Sequence, residues 1–235
     1  MGYALACHNL LYRLLTVRCE TVRIGVDVAW YIKEGTVGSQ SFVISGGAGH
    51  DISFELQLAE KTGCQLILLD PSPTGRTTVR KFDLPPGMVF EPLALSDRHG
   101  AISMAQPLNS SEGSWRIDTS GEGDSMQSTT IDQLMERHGV EEVDLLKIDI
   151  EGFEYPVLQD ALRRELPIKQ ICVEIHQGPE FGATRVDRWA LILRLLGAGY
   201  RLVHHEGWDH TFVHKSVLIQ SRVAQEKAGA TRKQS

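Results

Sequence analysis

The chain has 235 residues, enough for one ordinary α/β domain with appendages and a substantial buried core. Its 24 Lys and Arg against 30 Asp and Glu give a net charge of −6, which leaves no basic footprint for nucleic acid. No long apolar run follows a basic head at the N-terminus, so neither a signal peptide nor a membrane span is expected, and the chain reads as cytoplasmic.

Residues 1–36 read as an N-terminal cap segment, with a helical pattern over 5–17 and then Val22-Arg23-Ile24-Gly25-Val26. The core domain is expected over residues 37–221. It opens with Phe42-Val43-Ile44, which breaks into Ser45-Gly46-Gly47-Ala48-Gly49-His50-Asp51 and restarts as a helical pattern ended by Gly63. An apolar run, a glycine turn and a helix make the first strand–turn–helix of an α/β nucleotide fold. The strand pattern Gln65-Leu66-Ile67-Leu68-Leu69 comes next and is closed by Asp70-Pro71. An acid about 20 residues past the glycines is where this class of fold holds a ribose hydroxyl pair.

Asp51 separates the candidate cofactors. A pyrophosphate lies at such a helix N-terminus, drawn by free N–H groups and the helix dipole, and a carboxylate there would repel it. S-adenosylmethionine carries a sulfonium and an ammonium instead, which suits an acidic turn. The plain structural reading, that Asp51 only caps its helix, stays beside this one.

Pro71-Ser72-Pro73-Thr74-Gly75 reads as a stiff loop, and Arg76, Arg80 and Lys81 after it as a solvated face. Residues 88–97 read as a third strand ending in a polar turn. Residues 107–127 are polar except for Trp115 and Ile117, as in a surface hairpin or a lid, with Trp115 able to shield a substrate. A short helix then passes through Leu134, Met135 and His138 to a stop at Gly139.

Residues 143–152 are the most informative. As a strand, Leu146, Ile148 and Ile150 share one face while Lys147, Asp149 and Glu151 share the other. A central parallel strand is normally apolar on both faces, so these charges need compensation, which mutual pairing of Lys147 with its acidic neighbours would supply. A helix over 153–162 leads to a strand over 169–176, which places Ile171, Val173 and Ile175 opposite Cys172, Glu174 and His176. Both strands thus bring polar groups to the edge where open α/β sheets bind ligands. A helix over 186–196, a strand over 200–204 and a closing strand over 216–220 complete the sheet, and residues 222–235 read as a loose tail. Cys7, Cys19, Cys64 and Cys172 include no C-x-x-C pair and fit reduced thiols.

The stretches SGGAGHDISFE, LLDPSP, LALSD, TTIDQLM, DLLKIDIEGFEYPVL and KQICVEIH resemble, in that order, the blocks of FkbM-type S-adenosylmethionine-dependent methyltransferases. The likeness runs from Phe42 to His176 and more weakly to Gln220, and the LKIDIEG block is its specific part. The resemblance implies a Rossmann-like class I methyltransferase sheet, seven-stranded and mostly parallel, with an antiparallel last strand and helices on both faces. It implies O-methylation of a hydroxyl on a sugar or small natural product. It also implies that Gly46, Gly47, Gly49 and Asp51 line the methionine end of S-adenosyl-L-methionine, that Asp70 binds the ribose, and that Leu95 and Ser96 lie near the adenine. Asp149, Glu151, Glu174 and His176 would face the transferred methyl. The turn departs from the family's G-x-x-x-G-like opening in being denser in glycine.

A hydroxyl acceptor must lose a proton, and His176, ending a strand at the ligand edge beside Glu174, is the leading base. Its bland alternative is a hydrogen-bonded loop histidine. Asp149 would bind or orient the acceptor, Glu151 would pair Lys147 or cap the next helix, and Lys147 would be a buried counter-charge. Asp149, Glu174 and His176 offer ligands suited to magnesium or manganese, but no tight spacing demands a metal and none is expected. His204, His205, His210 and His214 cluster around Trp208 and read as a substrate-side loop or ordinary surface. The expected partner is a small-molecule or carbohydrate acceptor, with no nucleic acid or membrane; the oligomeric state is not legible. The rivals are a non-catalytic Rossmann-like module and a nicotinamide-dependent oxidoreductase, the latter disfavoured by Asp51.

Overall fold

In the computed structural model of the chain, residues 10–107, 115–118 and 122–221 are described. Parts of the N-terminal segment and of the 107–127 insertion, Cys7 and the 222–235 tail fall outside them. A helical segment at 10–15 precedes an antiparallel hairpin of β1 (Thr21–Ile24) and β2 (Trp30–Lys33). The hairpin turn is stitched to the first turns of the next helix: the main-chain N–H groups of Gly25, Val26 and Val28 donate to Gln57 Oε1, Ser53 Oγ and Asp51 Oδ2, each at 2.9 Å.

The core begins with β3 (Phe42–Gly46), α1 (Ser53–Thr62), β4 (Gln65–Leu69), α2 (Pro73–Val79) and β5 (Met88–Glu91). Helix α1 stops at Gly63, whose φ of 67° is the left-handed geometry a glycine cap supplies. The expected stiff loop at 71–75 instead starts α2. Ser72 Oγ accepts from Gly75 N and Pro73 takes the first turn, where its missing N–H costs nothing.

The expected third strand over 88–97 is broken at Pro92, which cannot donate to a ladder. Only β5 stays in the main sheet. β6 (Ala94–Leu95) leaves it for a second sheet of order β6-β9-β7-β8, with β7 (Gly100–Ala105), β8 (Arg116–Ile117) and β9 (Asp124–Thr129). Of the insertion read as a hairpin or lid, Arg116–Ile117 and the residues from Asp124 onward are strands of this sheet. The main chain then continues through α3 (Ile131–His138), β10 (Leu145–Ile148), α4 (Glu154–Arg163), β11 (Gln170–Glu174), α5 (Arg185–Gly197), β12 (Tyr200–Glu206) and β13 (Asp209–His214).

The main sheet has seven strands in the order β12-β13-β11-β10-β3-β4-β5. Strands β5, β4, β3, β10 and β11 pair in parallel, and β13 runs antiparallel to both its neighbours. The last strand is thus antiparallel as expected, but it is Asp209–His214 rather than 216–220, which lies in a helical segment at 215–221. A three-residue apolar run cannot distinguish strand from helix by period. The better signal was Gly207-Trp208, a two-residue link between antiparallel strands with Gly207 at φ 60°.

Strand periodicity splits the core in two. Ile44, Leu146, Ile148 and Val173 pack on one face beneath α3, α4 and α5. Val43, Leu145, Leu66, Leu68 and Cys172 pack on the other with α1, α2 and the N-terminal hairpin. Each such Leu or Ile contributes about 1.5–3 kcal/mol when fully buried, so the C-terminal ends of β3, β4, β10 and β11 are held rigidly side by side. Among the described residues no helix is long and apolar enough to cross a membrane.

Candidate active site

At the end of β3 the chain turns through Gly47 at φ 92°. A Cβ there would stand 1.9 Å from the carbonyl oxygen of Asp149, so the turn touches the end of β10 through a residue that must lack a side chain. Asp70, at the end of β4, fastens the other side of the turn. Its Oδ2 accepts from Ala48 N (2.9 Å) and Gly49 N (3.1 Å), and its Oδ1 from Ser72 N (2.8 Å). Between these walls lies a cavity of about 280 Å³, bounded by the turn from Gly47 to Asp51, by Asp70 and Leu95, by Trp115 just before β8, and by Asp149 and Glu151.

Two of the expected cofactor residues stand behind this wall. Gly46 sits beneath Leu95 and Ile150, either of which a Cβ would approach to 3.2 Å. Ser96 is buried, with its N–H on Thr129 O and its hydroxyl on Asp97, and it does not line the cavity. Asp51 stands one residue before the helix N-cap, Ile52, which has no side-chain cap bond. Asp51 lines the cavity, and its oxygens accept from the Val28 and Ser53 amides and the Ser53 hydroxyl. Partial burial opposes its charge, but those donors prevail and hold its carboxyl below the usual range.

Lys147 is a buried counter-charge, but its partner is not the one expected. Its Nζ donates to Gly47 O (2.7 Å) and lies 3.5 Å from Oε1 of Glu55 on α1, which also accepts from Ser45 Oγ. Burial works against the ammonium, yet Glu55 and Asp149 keep its pKa above the ordinary lysine value. Asp149 and Glu151 do not pair with it because β10 ends at Ile148 and the backbone turns at Glu151, whose φ is 54°.

That turn gathers Asp149, Glu151, Glu174 and His176 at the ligand edge of β10 and β11. His176 Nδ1 lies 3.0 Å from Oε1 of Glu154, which also accepts the main-chain N–H of His176 at 2.8 Å. Glu154 is fully buried at the start of α4, and its other oxygen accepts from Gly152 N. His176 Nε2 faces Glu151 (3.4 Å), Glu174 (3.8 Å) and Asp149 (4.0 Å), and the rings of Phe181 and Trp208 flank the imidazole. Burial alone would lower the His176 pKa; the hydrogen bond and charge of Glu154, with Glu174 and Glu151, override it and push it up to about 9. Burial raises Glu174 to about 8, helped by the charge of Asp149, and raises Asp209, which faces it from β13, to about 6.

The expectation that His176 is the free base therefore gives way. An imidazole carrying both protons at neutral pH cannot accept a third. Glu174, raised to about 8, is disfavoured for the same reason, and Asp149, which lines the cavity, is the better-placed acceptor. The oxygens of Asp149 and Glu151 and the His176 ring nitrogen lie within 4.8 Å of one another, so Glu151, rather than Glu174, completes the tightest set with metal-ligand chemistry.

Glu154, Glu55 and Asp209 were not singled out in the sequence. Glu154 left a trace: with Val157, Leu158 and Ala161 it falls on the i, i+3, i+4, i+7 stripe that α4 buries. Among the described residues the other histidines form no second centre. His205 stacks on Tyr12, buried His210 bonds the Tyr12 hydroxyl and Trp208 O, and His204 stacks on Tyr31. They hold the β12–β13 hairpin, and so Trp208, in place.

The sequence profile of the methyltransferase FkbM domain matches residues 41–202. No curated protein matches the chain. Among solved structures, a Methanococcus jannaschii fibrillarin pre-rRNA processing protein is similar at 10% identity and a TM-score of 0.44, with 83% of each chain covered. A methyltransferase from Pyrococcus furiosus gives 9% and 0.38, covering 76% of this chain and 75% of its own. M. jannaschii TYW2 in complex with AdoMet gives 10% and 0.35, covering 85% and 89%. Likenesses this distant say nothing of substrate or mechanism.

Proposed function

The chain belongs to the FkbM methyltransferase family, and from that premise we propose that it transfers the methyl group of S-adenosylmethionine to a hydroxyl of a sugar or small natural product. The observation that carries the donor's identity is the sign of the cavity wall. Asp51, Asp70, Asp149 and Glu151 line it, and Lys147 is its one Lys or Arg among the described residues, already engaged by Gly47 O and Glu55. Such a wall repels a dinucleotide's pyrophosphate and favours a sulfonium and an ammonium. In this reading Gly47 and Gly49 face the methionine end, and Asp70, already accepting three amide hydrogen bonds, uses its remaining lone pair on the ribose.

Transfer is an in-line displacement, and the protein's main contribution is alignment. The acceptor oxygen bonds to the methyl carbon, the carbon–sulfur bond breaks with its electron pair going to sulfur, and the hydroxyl proton passes to the carboxylate of Asp149. Protonated His176, gripped by Glu154, orders the carboxylates around it and shields their mutual repulsion. Trp115, just before β8, lines the cavity on the side of the second sheet.

Calorimetry with S-adenosylmethionine, S-adenosylhomocysteine and NAD(P) tests the donor. Binding of the first two and not of the nicotinamides is expected; the reverse overturns the reading. Labelled-methyl transfer to a panel of polyhydroxylated acceptors then separates an enzyme from a binding module.

A further inference from the structure

We propose that Asp149, Glu151 and His176 bind one first-row divalent cation of the manganese type beside the donor cavity. The site's role in methyl transfer rests on the function proposed above; the binding itself does not.

Three observations support it. The three ligand atoms lie within 4.8 Å of one another, and His176 Nε2 is 3.4 Å from Glu151 and 4.0 Å from Asp149. Those separations are long for charge-assisted hydrogen bonds. They approach the roughly 3–3.5 Å between neighbouring ligands that share an ion at about 2.1 Å. Next, the His176 side chain is only 5% exposed and aimed into the cluster, where its Nε2 faces carboxylate oxygens of Glu151, Glu174 and Asp149 at 3.4, 3.8 and 4.0 Å. Nδ1 is committed to buried Glu154, so the ring is fixed with Nε2 outward, and the ion would take the place of the Nε2 proton that metal-free His176 holds at neutral pH. A carboxylate behind a ligating histidine is the recurring support that fixes tautomer and ring angle at metal centres. Lastly, Asp149 and Glu151 also line the donor cavity, so an ion held here would border it.

One imidazole with two carboxylates selects the class of ion. Oxygen ligands suit manganese and magnesium, and the imidazole favours the transition metal. The ion would neutralise Asp149 and Glu151, its two carboxylate ligands. It would also bind the acceptor oxygen and ease loss of its proton.

The test is titration of the full chain with MnCl2, following free Mn²⁺ by electron paramagnetic resonance, with excess Mg²⁺ present throughout. One Mn²⁺ per chain is expected. Glu151→Gln and His176→Ala should each weaken it at least about tenfold, and Glu154→Gln, which touches no ion, by about 10–100-fold. Thermal melts of each variant confirm that it is folded. Absence of binding at millimolar Mn²⁺ by folded wild type, or binding indifferent to Glu151→Gln, overturns the site and leaves an ion-pair network alone. S-adenosylmethionine calorimetry on the same metal-free sample keeps the two readings apart. Donor binding without Mn²⁺ binding sinks the cation site only; Mn²⁺ binding without donor binding sinks the methyltransferase reading and leaves the site.

Discussion

Replacing Gly47 by alanine perturbs the contact on which the donor cavity depends. The new Cβ would lie 1.9 Å from Asp149 O, with backbone on both sides, so no rotamer change relieves it. A left-handed conformation costs an L-residue about 1–2 kcal/mol, and forced overpacking adds about 1–3 kcal/mol. The sum, about 2–5 kcal/mol, corresponds to a melting-temperature loss of about 4–20 °C at about 2–4 °C per kcal/mol for a chain of this size. Gly49→Ala is the control. Its φ of 49° is also left-handed, but nothing lies within 4 Å of its Cβ, so about 1–2 kcal/mol of strain is offset by about 0.4–1 kcal/mol of lost unfolded-state entropy. Thermal melts by circular dichroism, with S-adenosylmethionine calorimetry on the folded protein, measure both. Gly47→Ala should melt well below Gly49→Ala and lose at least about tenfold in donor affinity. Equal melting points with unchanged affinity would refute the claim that the turn and β10 shape the cavity through this contact.

Asp70→Asn exchanges an acceptor of backbone amides for a partial donor, and should lower both the melting point and donor affinity, the latter at least about tenfold by calorimetry. Glu154→Gln keeps a side-chain oxygen but removes the charge; the His176 imidazole, followed by NMR titration, should fall from about 9 toward the ordinary 6.5. An unchanged titration would show that Glu154 does not set it. Metal-free wild type should lose stability as pH rises from 6.5 to 9. The native His176 holds its proton to about 9 and the unfolded one only to 6.5, so its contribution is complete below 6.5 and gone above 9. Glu174, at about 8 against 4.5, adds a loss of the same sign as pH rises from 4.5 through 8. Melting points flat or rising across that range would contradict the protonation assigned here.

The strand-turn-helix at Phe42 and the LKIDIEG block were legible because each is a local pattern whose chemistry sits at a strand end. Two adjacent parallel strands, β10 and β11, then had to bring Asp149 and His176 to one edge, and they do. What escaped notice was what pairs across the sheet. Glu55 is ten residues from Ser45 along the chain and meets Lys147 only after β3 and β10 align in register. Glu154 looks like an ordinary first-turn acid until α4 is packed, and its burial is what changes the protonation of His176. The closing strand was misplaced because DHTFVH carries more polar groups than a core strand usually does. Two of them are buried with distant partners: His210 bonds the Tyr12 hydroxyl, and the Thr211 hydroxyl donates to the main-chain carbonyl of Tyr31.

The stitched N-terminal hairpin has a practical consequence. A chain trimmed to the matched span 41–202 would lose β1, β2, β13 and most of β12. The outer edge of β11 would then be an unpaired, apolar template for another molecule. Ser53 would also forfeit the Val26 amide, and Asp51, at the cavity wall, that of Val28. Such a fragment should aggregate, whereas one spanning residues 10–221 should remain dispersed.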